Sequence, residues 1–123
     1  MIDKVYLLWA SYLTKEMLLI GTLVRDNSKY VFKYEKDVSK AIDLGCMIPF
    51  PYTDELIRFD SLPLFFYRRM IRRELLDQFN VNYNRNDELS ILTSTNGKRN
   101  NDNFYVVRFE VLEKLKNKEK VRL

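Results

Sequence analysis

The segment from residue 29 to residue 35 alternates between aromatic and mostly charged side chains, and it is the strongest constraint on the fold. Tyr30, Phe32 and Tyr34 occupy every second position within it. Successive side chains of a β-strand point to opposite faces, so the pattern predicts a strand with one aromatic face. Such a face also suits stacking on nucleic-acid bases, but no basic residue shares it, which favours a place in the core.

Two segments rich in β-forming residues precede this strand. Residues 5–13 are too apolar for simple alternation, which predicts a strand buried on both faces. Residues 17–25 predict a second strand, in which Gly21 marks either a bulge or a position where a side chain would obstruct a neighbour. With turns at 15–16 and 26–28, the three strands predict an antiparallel meander that curls toward a small barrel.

The middle of the chain carries helix signals. Asp37 as an N-cap and Gly45 as a left-handed residue after the last turn predict a short helix between them. A second helix opens with Ser61 as a cap and Pro63 in its first turn. This helix either runs on through the following residues or breaks near Arg72.

The remaining elements are shorter. Residues 54–59 predict a brief edge strand, and Asp87 caps a short helix over residues 89–93. Residues 103–110 alternate and predict a final strand. The lysine-rich end, residues 112–123, predicts either a short amphipathic helix or a loose tail.

The order of these elements predicts an α+β fold in a single domain. Its centre is a small antiparallel meander or barrel-like sheet, with a few short helices packed on it. Residues 1–110 form the domain, and residues 111–123 form a basic C-terminal tail or short helix. A chain of 123 residues suits one domain with a substantial hydrophobic core.

The chain contains no histidine and a single cysteine, Cys46. The usual general base and the commonest metal ligand are therefore absent, and no second thiol exists for a disulfide or a zinc site. The carboxylates of Asp54 and Glu55 point to opposite faces of a strand, and no glycine-rich phosphate loop occurs. We therefore expect a protein that is not an enzyme, needs no cofactor or metal, and holds Cys46 as a small buried hydrophobe.

Location is constrained by the N-terminus and by the lack of long apolar segments. Asp3 stands where a signal peptide would carry only positive charge, and the apolar run over residues 5–10 is too short for its hydrophobic region. No segment approaches the roughly 20 apolar residues of a membrane span. We expect a cytoplasmic protein that does not enter a membrane.

Positive charge is concentrated in the second half of the chain. Residues 68–123 carry 13 basic and 8 acidic side chains. On a helix, four arginines of this half would form two i, i+4 pairs, a cationic ridge whose repulsion an anion would offset. That anion is an internal carboxylate such as Glu74 or Asp77, a carboxylate of a protein partner, or a nucleic-acid phosphate. The candidate partner-binding residues are the four arginines, Arg68, Arg69, Arg72 and Arg73, and a second patch of Lys98 and Arg99.

Several short motifs resemble the N-terminal subdomain of HipA-type kinases. They are Gly21-Thr22-Leu23, the strand Tyr30 to Tyr34, Pro49-Phe50-Pro51, Leu62-Pro63-Leu64-Phe65-Phe66 and the segment from Leu92 to Phe104. The resemblance covers roughly residues 5 to 109 and implies the same opening meander. The ATP-binding loop, the catalytic aspartate and the metal-binding residues of these kinases have no counterpart in the sequence.

The resemblance implies a function in regulation. In full-length HipA proteins this subdomain packs on the kinase core, and in three-component bacterial toxin–antitoxin systems it is a separate HipS-like protein that binds and suppresses a truncated serine/threonine kinase. We therefore expect a non-catalytic protein-binding module of the antitoxin type. The alternatives are a nucleic-acid-binding accessory protein that uses the basic surface, and a phage- or plasmid-borne inhibitor of a host factor.

Overall fold

A computed structural model describes residues 2–78, 83–99, 102–118 and 121–122. The strands are β1 (Lys4–Ala10), β2 (Met17–Asp26), β3 (Lys29–Tyr34), β4 (Ile57–Phe59), β5 (Phe104–Val107) and β6 (Val121–Arg122). The helices are α1 (Val38–Asp43), α2 (Leu64–Tyr67), α3 (Arg73–Gln78), α4 (Glu88–Thr93) and α5 (Phe109–Asn117). The predicted α+β class and the opening meander are confirmed.

The strands form one sheet in the order β4-β3-β2-β1-β5, and each neighbouring pair is antiparallel. The two residues of β6 pair in parallel with β2 at Met17 and Leu18. Because β4 and β5 stay at opposite ends, the sheet remains open and does not close into the predicted barrel. Helical residues Val38, Phe66 and Leu92 cover one face of the sheet, so that core is closed by helices rather than by the sheet curling back.

The aromatic face of β3 forms the centre of this first core. Tyr30, Phe32 and Tyr34 are all buried, as their alternation predicts. The ring of Phe32 lies directly over Gly21, where an added Cβ would come within 2.2 Å of the ring's Cζ atom. The β1–β2 register also shifts at Leu7, which pairs with Gly21, so the glycine combines a bulge with a close approach.

The opposite face of the sheet carries a second, smaller core. Leu8 and Val107 are buried there beneath Leu112 of α5. The lysine-rich end of the chain is therefore helical as far as Asn117, and the predicted boundary after residue 110 falls inside this helix. The helix belongs to the domain because its apolar side is packed against the sheet.

The end of β1 and the cap of α2 differ from the sequence-based predictions, whereas the predicted cap of α4 agrees with the structure. Strand β1 ends at Ala10 rather than at residue 13, because the hydroxyl of Ser11 accepts the amides of Leu13 and Thr14 in a turn. Helix α2 has Pro63 at its N-cap, so Ser61 does not cap it. The predicted cap at Asp87 is confirmed, since its carboxylate accepts the amide of Leu89 at 3.1 Å.

Candidate protein-binding surface

The four clustered arginines do not share a helix. Helix α2 ends at Tyr67 and α3 begins at Arg73, and the residues between them form a tight irregular turn. The predicted i, i+4 ridge is therefore not formed. Of the two alternatives for this helix, a continuous helix or a break near Arg72, the structure shows the break. The side chain of Arg73 lies outside the described part of the structure, while Arg68 and Arg72 are exposed.

Arg69, unlike Arg68 and Arg72, is buried: only 3% of its surface is exposed. Its guanidinium pairs with both carboxylate oxygens of Asp102 and donates to the carbonyl of Gly97 at 3.0 Å. It lies 4.5 Å from the ring centroid of Phe65 and 5.2 Å from that of Phe104. Its predicted role in partner binding is therefore corrected: Arg69 fastens the loop before β5 to the helical layer.

Asp102 completes this internal anchor. Burial by itself would raise the pKa of its carboxyl, but hydrogen bonds from Arg69 and from the amide of Phe104 outweigh burial and hold the pKa below its usual value. The Asp102 carboxylate accepts the amide of Phe104 at 3.2 Å, and this bond fixes the local turn. Gly97 has a positive φ of 56°, and an added Cβ there would meet Val106 at 2.7 Å.

In the second predicted patch, Lys98 and Arg99, one residue is likewise engaged within the protein and the other is exposed. Lys98 donates its ammonium group to the carbonyl of Asp102 and lies 4.8 Å from the ring centroid of Tyr105. Arg99 is exposed, and it makes no ion pair with any residue that the structure describes. Lys98 therefore stabilises its own loop, and only Arg99 remains available at the surface.

Arg72 lines a depression of about 390 Å³ between the α2–α3 turn and helix α4, and Arg68 directly follows Tyr67, another of its lining residues. We call this depression the arginine groove; its lining residues are Tyr67, Met70, Ile71, Arg72, Glu88 and Ile91. Leu64 and Tyr67 are 59% and 58% exposed at i, i+3 positions of α2, with Arg68 one residue beyond. Large exposed apolar side chains next to unpaired cations are typical of protein-binding surfaces.

Glu88 is the carboxylate among the lining residues of the arginine groove, and it already has a hydrogen-bond partner. Glu88 accepts the hydroxyl of Tyr30, and burial together with this bond raises the pKa of that phenol. Asp77, which the sequence offered as an internal counter-ion for the cluster, pairs with Arg85 instead. Among the described residues, no carboxylate lies within 4.0 Å of the guanidinium groups of Arg68 or Arg72.

The described residues contain no group of three His, Cys, Asp or Glu side chains that would hold a metal ion. Cys46 is buried, as predicted, and this burial raises the pKa of its thiol to about 12, so the thiol stays protonated near neutral pH. Within the same residues, no helix has both the length and the apolar character that crossing a membrane requires.

Comparisons with protein-family models, with curated proteins and with solved structures gave no match for this chain. The arginine groove is therefore assessed on its own geometry. Sequence analysis identified its two cations but missed its apolar lining, because Met70, Ile71 and Ile91 read as ordinary core positions. The available signal was the apolar pair Leu64 and Tyr67, three residues apart at the start of a proline-opened helix.

Proposed function

We propose that this chain is a non-catalytic protein-binding module and that the arginine groove is its binding surface. The observation that supports this proposal is the pairing of exposed apolar side chains, Leu64 and Tyr67, with two guanidinium groups that lack a described counter-ion. Tyrosine and arginine are the residues that most often supply the binding energy at protein interfaces. The groove therefore combines an apolar anchor point with two charge-selective groups.

This chemistry defines the partner. A matching segment inserts an apolar side chain between Tyr67 and Ile91 and carries Asp or Glu side chains on either side of it. Arg68 and Arg72 then bind these carboxylates through charge-assisted hydrogen bonds, which are roughly twice as strong as neutral ones. Each such bond also selects against a basic partner, because like charges at an interface are strongly unfavourable.

The resemblance to the HipA N-terminal subdomain supplies the first partner to test. On this proposal the chain is a HipS-like antitoxin that binds and restrains a HipA-type serine/threonine kinase in the bacterial cytoplasm. The proposal rests on the motifs around Gly21, Tyr30 and Pro63. The arginine groove would meet an acidic, apolar segment on the kinase core.

The test measures the affinity of the chain for a purified HipA-type kinase core from the same host by isothermal titration. We expect the double charge reversal Arg68→Glu/Arg72→Glu to weaken binding by at least 100-fold, which is about 2.7 kcal/mol. The matched control, Lys36→Glu/Lys118→Glu, makes the same charge change at exposed lysines far from the groove along the chain. It should change the affinity by less than threefold.

Two outcomes would reject the proposal. One is binding to the kinase that the groove variant leaves intact, which would place the interface elsewhere. The other is tight binding to mixed DNA or RNA whose affinity falls by about 0.7 to 0.9 log units per phosphate contact for each log unit of salt. Such a salt slope would favour the nucleic-acid alternative, whereas a carboxylate-based protein interface should depend on salt far less steeply.

A further inference from the structure

The sheet has a second face that its own helices cover only in part. Helix α5 packs over β1 and β5, where Leu8, Val107 and Leu112 are buried. Neighbouring strands lie about 4.8 Å apart, so five strands span roughly 19 Å between the outermost axes. A helix with its side chains is about 10–12 Å across, so one helix covers about half of this face.

The strand register shows what lies on the other half. Lys4 pairs with Val24, Val24 with Val31, and Val31 with Arg58, so one row crosses β1, β2, β3 and β4. The next row contains Tyr6, Thr22 and Lys33. These seven side chains share the face that carries α5, because β1 presents Tyr6 and Leu8 to the second core.

Six of these seven side chains, all except Tyr6, line a depression of about 460 Å³ that we call the sheet trough. Its floor consists of the half-buried Val24 and Val31 with the buried Thr22. Leu56 is 51% exposed at one end, and Phe109 of α5 is 53% exposed beside Tyr6, whose ring centroid lies 6.3 Å away. The trough is thus an apolar strip that borders the existing helix.

Charged side chains of both signs surround this apolar strip; they are Lys4, Arg25, Lys33, Arg58, Asp26 and Glu35. Lys4, Lys33 and Arg58 are all exposed, and Lys33 lies 3.7 Å from the carboxylate of Glu35. Within the described residues, Lys4 and Arg58 make no ion pair. Arg25 pairs with Asp87, and Asp26 adds one carboxylate to the lining. The cations of the trough that lack a described counter-ion are therefore Lys4 on β1 and Arg58 on β4, at the two ends of the row.

We propose that the sheet trough binds an amphipathic helix of a partner protein, with acidic residues on both sides of its apolar stripe, lying beside α5. A helix is the element that covers an open sheet face, and the uncovered width accommodates one more. Acidic flanks on the bound helix would meet Lys4 on β1 and Arg58 on β4. This helix would also bury the exposed part of Phe109.

Two other occupants fit the trough less well. A nucleic acid would find no aromatic ring among the described residues that line the trough, although base stacking on such rings is a main source of affinity for single strands. A second copy of this chain in a two-fold arrangement would bring Lys4 and Arg58 against the same cations of its partner. Charge and shape together favour an acidic helix.

This inference is independent of the proposed function. The arginine groove belongs to the helical side, where Met70 packs against the first core, and the trough lies on the opposite face of the sheet. Binding at one surface leaves the other accessible, so the chain is able to link two partners. Variants of each surface therefore serve as controls for the other.

The test is an NMR titration of the ¹⁵N-labelled full chain with a synthetic 18-residue helical peptide that carries a leucine stripe and glutamate flanks. We expect the amide signals of Val24, Val31 and Arg58 to shift, while those of Tyr67 and Ile71 stay in place. Lys4→Glu/Arg58→Glu should weaken the peptide's affinity at least tenfold. Arg68→Glu/Arg72→Glu should leave it unchanged, although the same variant weakens kinase binding.

A control peptide with the same leucine stripe and lysine flanks should bind at least tenfold more weakly. The inference is overturned if the two peptides bind equally, or if the glutamate peptide shifts no trough signal. It is also overturned if a 12-nucleotide single strand shifts the trough signals and the peptide does not, or if the signals move with protein concentration alone. The last result would identify a second copy as the occupant.

Discussion

Arg68 and Arg69 are neighbours in the sequence and have opposite roles in the structure. The guanidinium of Arg69 is enclosed by Phe65 and Phe104 and bonded to Asp102, whereas Arg68 projects into solvent beside the arginine groove. A run of like charges is therefore not one functional unit. Each arginine is buried or exposed depending on whether folding places a carboxylate beside it.

The largest expected effect is the loss of the internal anchor. Arg69→Met leaves Asp102 without its buried partner and should lower the free energy of unfolding by about 3 kcal/mol. Arg68→Met, one residue earlier, should change it by less than about 0.5 kcal/mol. Urea denaturation of the two variants measures both values, and similar losses would erase the distinction between the two arginines.

The loop that presents its carbonyl to Arg69 should be the next most sensitive region. Gly97→Ala forces a side chain into left-handed backbone and against Val106, which should cost about 2 kcal/mol. Gly45→Ala also occupies left-handed backbone, but no atom lies within 4 Å of an added Cβ. Its cost should be nearer 1 kcal/mol, from backbone strain alone. Equal thermal shifts for the two variants would contradict a specific role for the loop.

Acid should weaken the internal Arg69–Asp102 anchor and the Arg25–Asp87 ion pair. Asp87 and Asp102 both have lowered pKa values: burial opposes the shift, and their hydrogen bonds, including those from Arg25 and Arg69, outweigh it. Their contribution is complete well above the pKa of an unfolded Asp, about 3.9, and is lost as the pH falls through the lower native values. Unfolding measured from pH 7 to pH 2 should show this loss in the wild type and in Arg68→Met. It should be smaller in Arg69→Met.

The smallest effect expected concerns the pH range near neutrality. The chain has no histidine, the side chain whose ordinary pKa lies between pH 6 and pH 8, and burial raises the pKa of the Cys46 thiol to about 12. The free energy of unfolding should vary by less than about 0.5 kcal/mol across that range. A larger change would show that a group outside the anchor controls stability.

Sequence patterns predicted the elements whose signals are local. The alternation of Tyr30, Phe32 and Tyr34 repeats every two residues, and one strand is enough to express it. The cap at Asp87 and the end of α1 at Gly45 likewise depend on neighbours within a few residues. The open sheet was not predicted, because closure into a barrel depends on how helices and strands compete to cover the same core.

The candidate surfaces were harder to predict from the sequence than the strands and caps, because they are formed by contacts between residues far apart in the chain. Arg69 and Asp102 lie 33 residues apart, so no local spacing indicates that they pair. The row from Lys4 to Arg58 exists only because three strand pairings place those residues in register. Sequence reasoning therefore identified Arg68 and Arg72 as candidates and could not separate them from Arg69.

The amino-acid sequence by itself determined the α+β class, the aromatic core strand, the need for glycine beneath Phe32 and the absence of imidazole chemistry. These properties follow from composition and from sequence patterns that lie within a single strand or helix. Tertiary structure decided which cations face inward, where apolar residues line a groove and which half of the sheet stays uncovered. The physical reason is that burial, ion pairing and strand register are properties of residues brought together from distant positions.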